Sequence, residues 1–266
     1  MEILGYFAAI LVGLSFGLIG SGGSILTMPI LVYLFGIQPT LATSYSLCIV
    51  GITCLTGAVQ KYRSGFVDVR VSLLFGLVSV TSVILTRKFI LPAIPGDITT
   101  IGSIKITKAL LTMILLASLM LVSAISMIRN SYKHPGDDVW IRINPNYPVL
   151  LFCGLGIGMV TGLLGVGGGF LLVPTLVLLA GIPMKKAIGT SLTIITLNTL
   201  MGIISDAASF HLDWLLLGKL IAIAVTGVFM GNAISKKVSG EKLKKGFGWF
   251  VLVLSIYIVC KEVFFR

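Results

Sequence analysis

The chain has 266 residues, of which 56% are hydrophobic and 11% charged, with a mean hydropathy of +1.08. Soluble domains carry about a quarter charged residues, so this composition excludes a soluble globular protein and fits an integral membrane protein. The net charge of +11 sits in short basic clusters between apolar segments, Arg87-Lys88, Lys185-Lys186, Lys236-Lys237 and Lys242 with Lys244 and Lys245. Charges that set membrane topology are distributed this way, and a nucleic-acid groove is excluded.

In chain order, apolar segments fall near 3–20, 23–36, 41–60, 69–91 and 107–128. The polar stretch RNSYKHPGDDVWIRINPNYP then interrupts them, rich in the Pro, Gly, Asn and charge of a solvated connection. Five more follow near 148–165, 168–181, 187–205, 214–235 and 246–265. This divides the chain into a first membrane repeat (1–128), a cytoplasmic linker (129–147) and a second repeat (148–266). The opening MEILGYFAAILVGLSFGLIG has no basic n-region, carries Glu2 and shows no convincing cleavage site, so it reads as a retained helix. Cys48, Cys54, Cys153 and Cys260 lie in apolar segments without metal-ligand spacing and read as small core residues. Neither cofactor nor metal is expected.

The two sets are copies of one another. Shifted by 145 residues, 17–68 overlays 162–213 without a gap, with about 20 of the 52 positions identical. The matches include Gly20 with Gly165, Gly22 with Gly167, Gly23 with Gly168, Pro29 with Pro174, Ser46 with Ser191, Gly57 with Gly202 and Asp68 with Asp213. Low complexity would align leucines, not glycines, a proline and an aspartate, so the chain is an internal duplication. With five segments per half, positive-inside counting gives 13 basic residues on one side and 6 on the other. Four crossings per half give 8 against 11, with little bias. The five-segment reading places both termini outside and the linker in the cytoplasm. An odd number of segments makes the halves inverted repeats, as in many secondary transporters. The expected fold is therefore an all-α polytopic membrane protein of two inverted repeats, about five helical segments each, including short broken helices.

Glycines at helical spacing, Gly13 with Gly17 and Gly158 with Gly162, read as close helix packing. The clusters Gly20-Ser21-Gly22-Gly23-Ser24 and Gly165-Val166-Gly167-Gly168-Gly169 are consecutive instead, and break a helix. In lipid a broken backbone must be satisfied within the protein or by water in a cavity. A new helix starts after each cluster, and its first N–H groups form an anion site that glycine lets an oxyanion approach. Two such N-termini meeting at the midplane would make an anion cradle with no fixed positive side chain. Neither cluster completes a phosphate-loop or dinucleotide motif.

The third segment of each half adds a polar stripe, Ser46, Thr53, Gly57 and Gln60 in one, Ser191, Asn198, Gly202 and Ser205 in the other. Thr43, Ser44 and Thr190 stand near its entering end. Such groups often bond only to neighbouring helices; their repetition favours a site-facing surface, with Asn198 as the best donor. Lys61, Asp206, His211 and Asp213 fall at helix ends, where water interfaces are expected. Asp206, if deeper, is the candidate for carrying a coupling proton. An intramembrane enzyme would need a nucleophile–base pair or metal set in mid-membrane, and His134 and His211 both fall in loops.

GLIGSGGSILTMPIL, GLLGVGGGFLLVPTL and the helix entry KKAIGTSLT, together with the two-half layout, resemble the sulfite exporter TauE/SafE family of membrane transporters. The first half departs from the pattern, with Ser24 for the third glycine and ATSYS for the AxGTS element. The resemblance implies transport of small sulfur-containing anions such as sulfite, thiosulfate, taurine or sulfoacetate across the plasma membrane. The expected partners are a small anionic substrate and the lipid bilayer, with a homo-oligomer left open and no nucleic acid.

Overall fold

The structure is a computed structural model that describes residues 2–20, 23–95, 97–101, 104–129, 147–178, 180–206, 213–235 and 240–264. The first half contains α1 (Glu2–Ile19), α2 (Ser24–Tyr33), α3 (Pro39–Arg63) and α4 (Val69–Leu85). A π-helical turn (Thr86–Ile90), a short α5 (Leu91–Ala93), strands β1 (Asp97–Ile101) and β2 (Ile104–Thr107), and α6 (Lys108–Arg129) complete it. The second half contains α7 (Tyr147–Leu164), α8 (Gly169–Leu178), α9 (Met184–Asp206), α10 (Trp214–Ser235) and α11 (Gly240–Phe264).

The body is all-α and polytopic. Among the described residues, Pro39–Arg63, Val69–Ala93, Lys108–Ser126, Lys185–Asp206 and Trp214–Ile234 are long and apolar enough to cross a membrane. Shorter apolar stretches, Leu4–Leu18, Leu151–Leu164 and Val251–Lys261, run through α1, α7 and α11. β1 and β2 form a small antiparallel hairpin outside these spans, in a stretch where Ile and Thr recur as strands favour. Large apolar side chains such as Phe7 and Leu11 on α1, Leu73 and Leu77 on α4, and Phe152 on α7 face outward, as lipid contact requires.

The second helix of each half is shorter than its apolar segment. α2 and α8 have 10 residues, about 15 Å, half the hydrocarbon thickness. Pro29 and Pro174 lie within them.

α3 and α9 form the centre and run antiparallel. Ser44 bonds Asp206, Leu47 packs on Gly202, Gly51 on Thr199, Gly57 on Leu192, and Lys61 on Gly189. Around this pair α1 lies parallel to α10, α4 parallel to α7, and α6 against α11. These pairings exchange when each residue is replaced by its counterpart 145 positions away. Gly13 backs onto the Ala224 carbonyl as Gly158 backs onto that of Ser79. Gly17 meets the Val228 carbonyl as Gly162 meets that of Val83. Each half thus lays its first helix on the fourth helix of the other. The aspartates that stay in register under the shift cap those fourth helices. Asp68 accepts from the Val71 N–H at 3.1 Å, and Asp213 accepts from those of Leu215 and Leu216 at 2.9 and 3.2 Å.

A Cβ at Gly13 would stand 1.9 Å from the Ala224 carbonyl oxygen, whereas one at Gly156 meets nothing within 4 Å. Gly13→Leu is expected to destabilise by about 1–3 kcal/mol through overpacking. Gly156→Ala should be neutral or stabilising by up to about 1 kcal/mol. Unfolding of the purified variants in detergent checks both; equal behaviour would show that the α1–α10 approach is not tight.

Candidate functional site

The breaks begin where α1 and α7 end. Gly20 has φ +87° and its N–H donates to the Phe16 carbonyl at 3.0 Å; Gly165 has φ +65° and donates to that of Thr161 at 2.9 Å. Gly167 (φ +71°) and Gly168 (φ +63°) continue the second break. A side chain at these angles is strained, which fixes glycine here. Gly23 then caps α2 with no side-chain cap bond, and Gly169 opens α8. Gly23, Ser24, Val166 and Gly169 are buried with them, so the described backbone of the breaks is enclosed by protein as the bilayer demands. Ser21, Gly22, His134, His211 and positions 130–146 of the linker lie outside the described residues.

Each break leans on the polar helix of the other half. Gly20 abuts Ile188 in the first turns of α9, and Gly165 abuts the Thr43 backbone in the first turns of α3. Because α3 and α9 are antiparallel, these points lie at opposite ends of the central pair. The first glycines therefore do not meet at one place. Gly167 is the described break residue that reaches toward the middle, where a Cβ would touch Ile195, Val50 and Thr199. Gly168 packs on Thr161 and Ile157.

Ser46, Thr53, Gly57, Ser191, Asn198 and Gly202 of the polar stripe are buried, while Gln60 and Ser205 at its ends are half-buried, and its members have different partners. Ser46 is wholly buried and its hydroxyl has no hydrogen-bond partner. Ser191 donates to the Ile188 carbonyl at 2.8 Å and Thr53 to that of Ile49 at 2.5 Å. Asn198 uses its Nδ2 on the Ser79 hydroxyl of α4 at 2.7 Å, leaving Oδ1 without a partner. Thr190 accepts from the Asp68 N–H at 2.9 Å, and its counterpart Tyr45 accepts from the Asp213 N–H at 2.7 Å. Those two bonds tie the start of each fourth helix to the polar helix of the other half.

Two charged residues depart from the sequence reading. Arg87, counted there among loop charges, is 4% exposed, and Asp206, expected at a water interface, is 8% exposed. The π-helical turn carries Arg87 inward, with Thr86 against Gly162 near the end of α7. Arg87 Nη1 is ion-paired with Asp206 Oδ2, and the Ser44 hydroxyl donates to the same oxygen at 2.5 Å. Arg87 Nε and Nη2 are buried with no hydrogen-bond partner. A fixed positive side chain therefore does stand beside the second break, contrary to the expected all-backbone cradle. The signal was present in the sequence: Arg87 falls inside the apolar segment 69–91. Its counterpart is Asn232, which donates to Gln60 on α3, so a related cross-link joins the other end of the pair.

The profile of the sulfite exporter TauE/SafE family matches residues 5–258. The chain belongs to that family. It is 28% identical over 261 residues to a "probable membrane transporter protein" of Xylella fastidiosa, covering 95% of this chain and 92% of the relative. It is 25% identical over 260 residues to the "probable membrane transporter protein YunE" of Bacillus subtilis, covering 93% of each. A "probable membrane transporter protein" of Haemophilus influenzae is 28% identical over 273 residues, covering 94% and 95%. No solved structure matches. As a TauE/SafE family member the chain is a multi-pass membrane transporter protein, consistent with a non-enzymatic role.

Asp206→Ala leaves the Arg87 charge buried without its counter-ion and is expected to cost about 3–5 kcal/mol of stability. The double variant Arg87→Met/Asp206→Leu should recover most of that loss. A double variant as unstable as the single one would show that the pair contributes through packing rather than charge.

Proposed function

We propose that this TauE/SafE family member is a secondary transporter in the plasma membrane. It exports small sulfur-containing anions, sulfite or organosulfonates such as taurine and sulfoacetate, by alternating access. The observation that carries this reading is the pair of buried glycine breaks, each lodged between one half and the polar helix of the other. Backbone donors there are reached only from within the protein, and relative movement of the halves changes which end of the α3–α9 pair is open. Helices at equivalent positions, α3 and α9, run in opposite directions, which supports inverted repeats. With five segments per half, positive-inside counting puts both termini outside and the linker in the cytoplasm. Gly20 to Ser24, Gly165 to Gly169, Ser46, Thr190, Ser191 and Asn198 are the proposed substrate contacts, and Asp206 the proposed coupling residue.

Saturable flux separates a carrier from its rivals. In proteoliposomes, labelled sulfite or sulfoacetate is expected to enter with saturation and to be driven uphill by the same unlabelled anion on the far side. Flux without saturation or counterflow would indicate a passive anion channel instead. Preference for a non-sulfur carboxylate would move the substrate class and keep the carrier.

A further inference from the structure

The proposed function treats the breaks as the source of anion donors; the following rests on that reading and names a charged contact within the same site. We propose that the free edge of Arg87 binds the anionic head group of the substrate. Two oxygens accept from Nε–H and Nη2–H while Nη1 stays with Asp206. A guanidinium is planar, and Nε–H and Nη2–H project in parallel from one edge, a fork that matches two oxygens of a sulfonate or carboxylate. In this protein that edge is the part left without partners, in a residue only 4% exposed. A charged donor pair held away from water with nothing to bond is costly, and an oxyanion is the ligand that satisfies both at once.

Three contacts place the edge beside the second break. Thr86 sits on Gly162, three residues before Gly165; Gly165 sits on Thr43; and Ser44, next along, shares the Asp206 oxygen with Arg87. The π-helical turn that holds Arg87 is a local helix defect of the kind concentrated at functional sites. The counterpart position carries the uncharged Asn232, so the duplication supplies one guanidinium at this position. One anion per chain is therefore bound in this way. Burial also selects charge: Asp206 already offsets much of the Arg87 charge, and the cost of stripping water from an anion rises with the square of its charge, so a dianion such as sulfate is disfavoured against a monoanion. The head group is thus a singly charged sulfonate, hydrogensulfite or carboxylate.

The test uses the purified full chain in detergent, with methanesulfonate, hydrogensulfite, acetate and sulfate as probes, each followed by the rise in melting temperature over a concentration series. Wild-type protein is expected to be stabilised by the monoanions at lower concentrations than by sulfate. Arg87→Lys keeps the charge but lacks the two-donor edge, and its affinity should fall at least about 30-fold. Asp206→Asn keeps the fork and removes the competing charge, so it should bind sulfonate about tenfold more tightly even if it melts lower without ligand. If no probe stabilises the wild-type protein, the transport reading fails and this inference with it. If the wild type responds and Arg87→Lys responds equally, the transport reading stands and the Arg87 contact is overturned. Should Arg87→Lys not fold, Asp206→Asn decides alone: unchanged or weaker affinity overturns the proposal.

Discussion

The contact between α3 and α9 is what the rest of the molecule is arranged around. Two helices of equivalent sequence lie side by side in opposite directions, close enough that Gly51 faces Thr199 and Gly202 faces Leu47. In lipid there is no hydrophobic force between apolar helices, so close approach of small residues and shared polar bonds must hold such a pair. Once these helices are set antiparallel, every other pairing comes twice. α1 lies on α10 as α7 lies on α4, and the bond from Asp68 to Thr190 is repeated from Asp213 to Tyr45.

The same contact makes the broken helices tolerable. A chain that reverses inside a bilayer exposes backbone groups that hydrocarbon cannot satisfy. Here the breaks are covered by α3 and α9 themselves, Gly165 against Thr43 and Gly20 against Ile188. Each half supplies the cover for the other, so the duplication interlocks.

Charge breaks the symmetry that sequence and packing share. Arg87 and Asp206 bury a pair whose desolvation is repaid only by good geometry and further bonds, and Ser44 supplies one of them. At the other end Asn232 and Gln60 hold the related position. The two ends of the α3–α9 pair therefore carry different chemistry, a buried ion pair at one and an amide pair at the other.

Much of this was legible before any coordinates. Composition required a membrane protein, because too few charged residues exist to cover a soluble surface. The 145-residue shift exposed the duplication, and consecutive glycines marked the breaks because no regular helix tolerates them. Helical spacing identified Gly13, Gly17, Gly158 and Gly162 as packing positions, since periodicity survives folding unchanged. What the sequence could not place was anything set by distance between segments. Asn198 read as a free donor until its amide met Ser79, and Arg87 read as a loop charge until a π-helical turn brought it onto Asp206, 119 positions away. Local pattern determines which residues form helices and where they break, because those energies act within a few residues. Which buried polar groups find partners, and which are left unpaired, was decided only by the packing of distant helices.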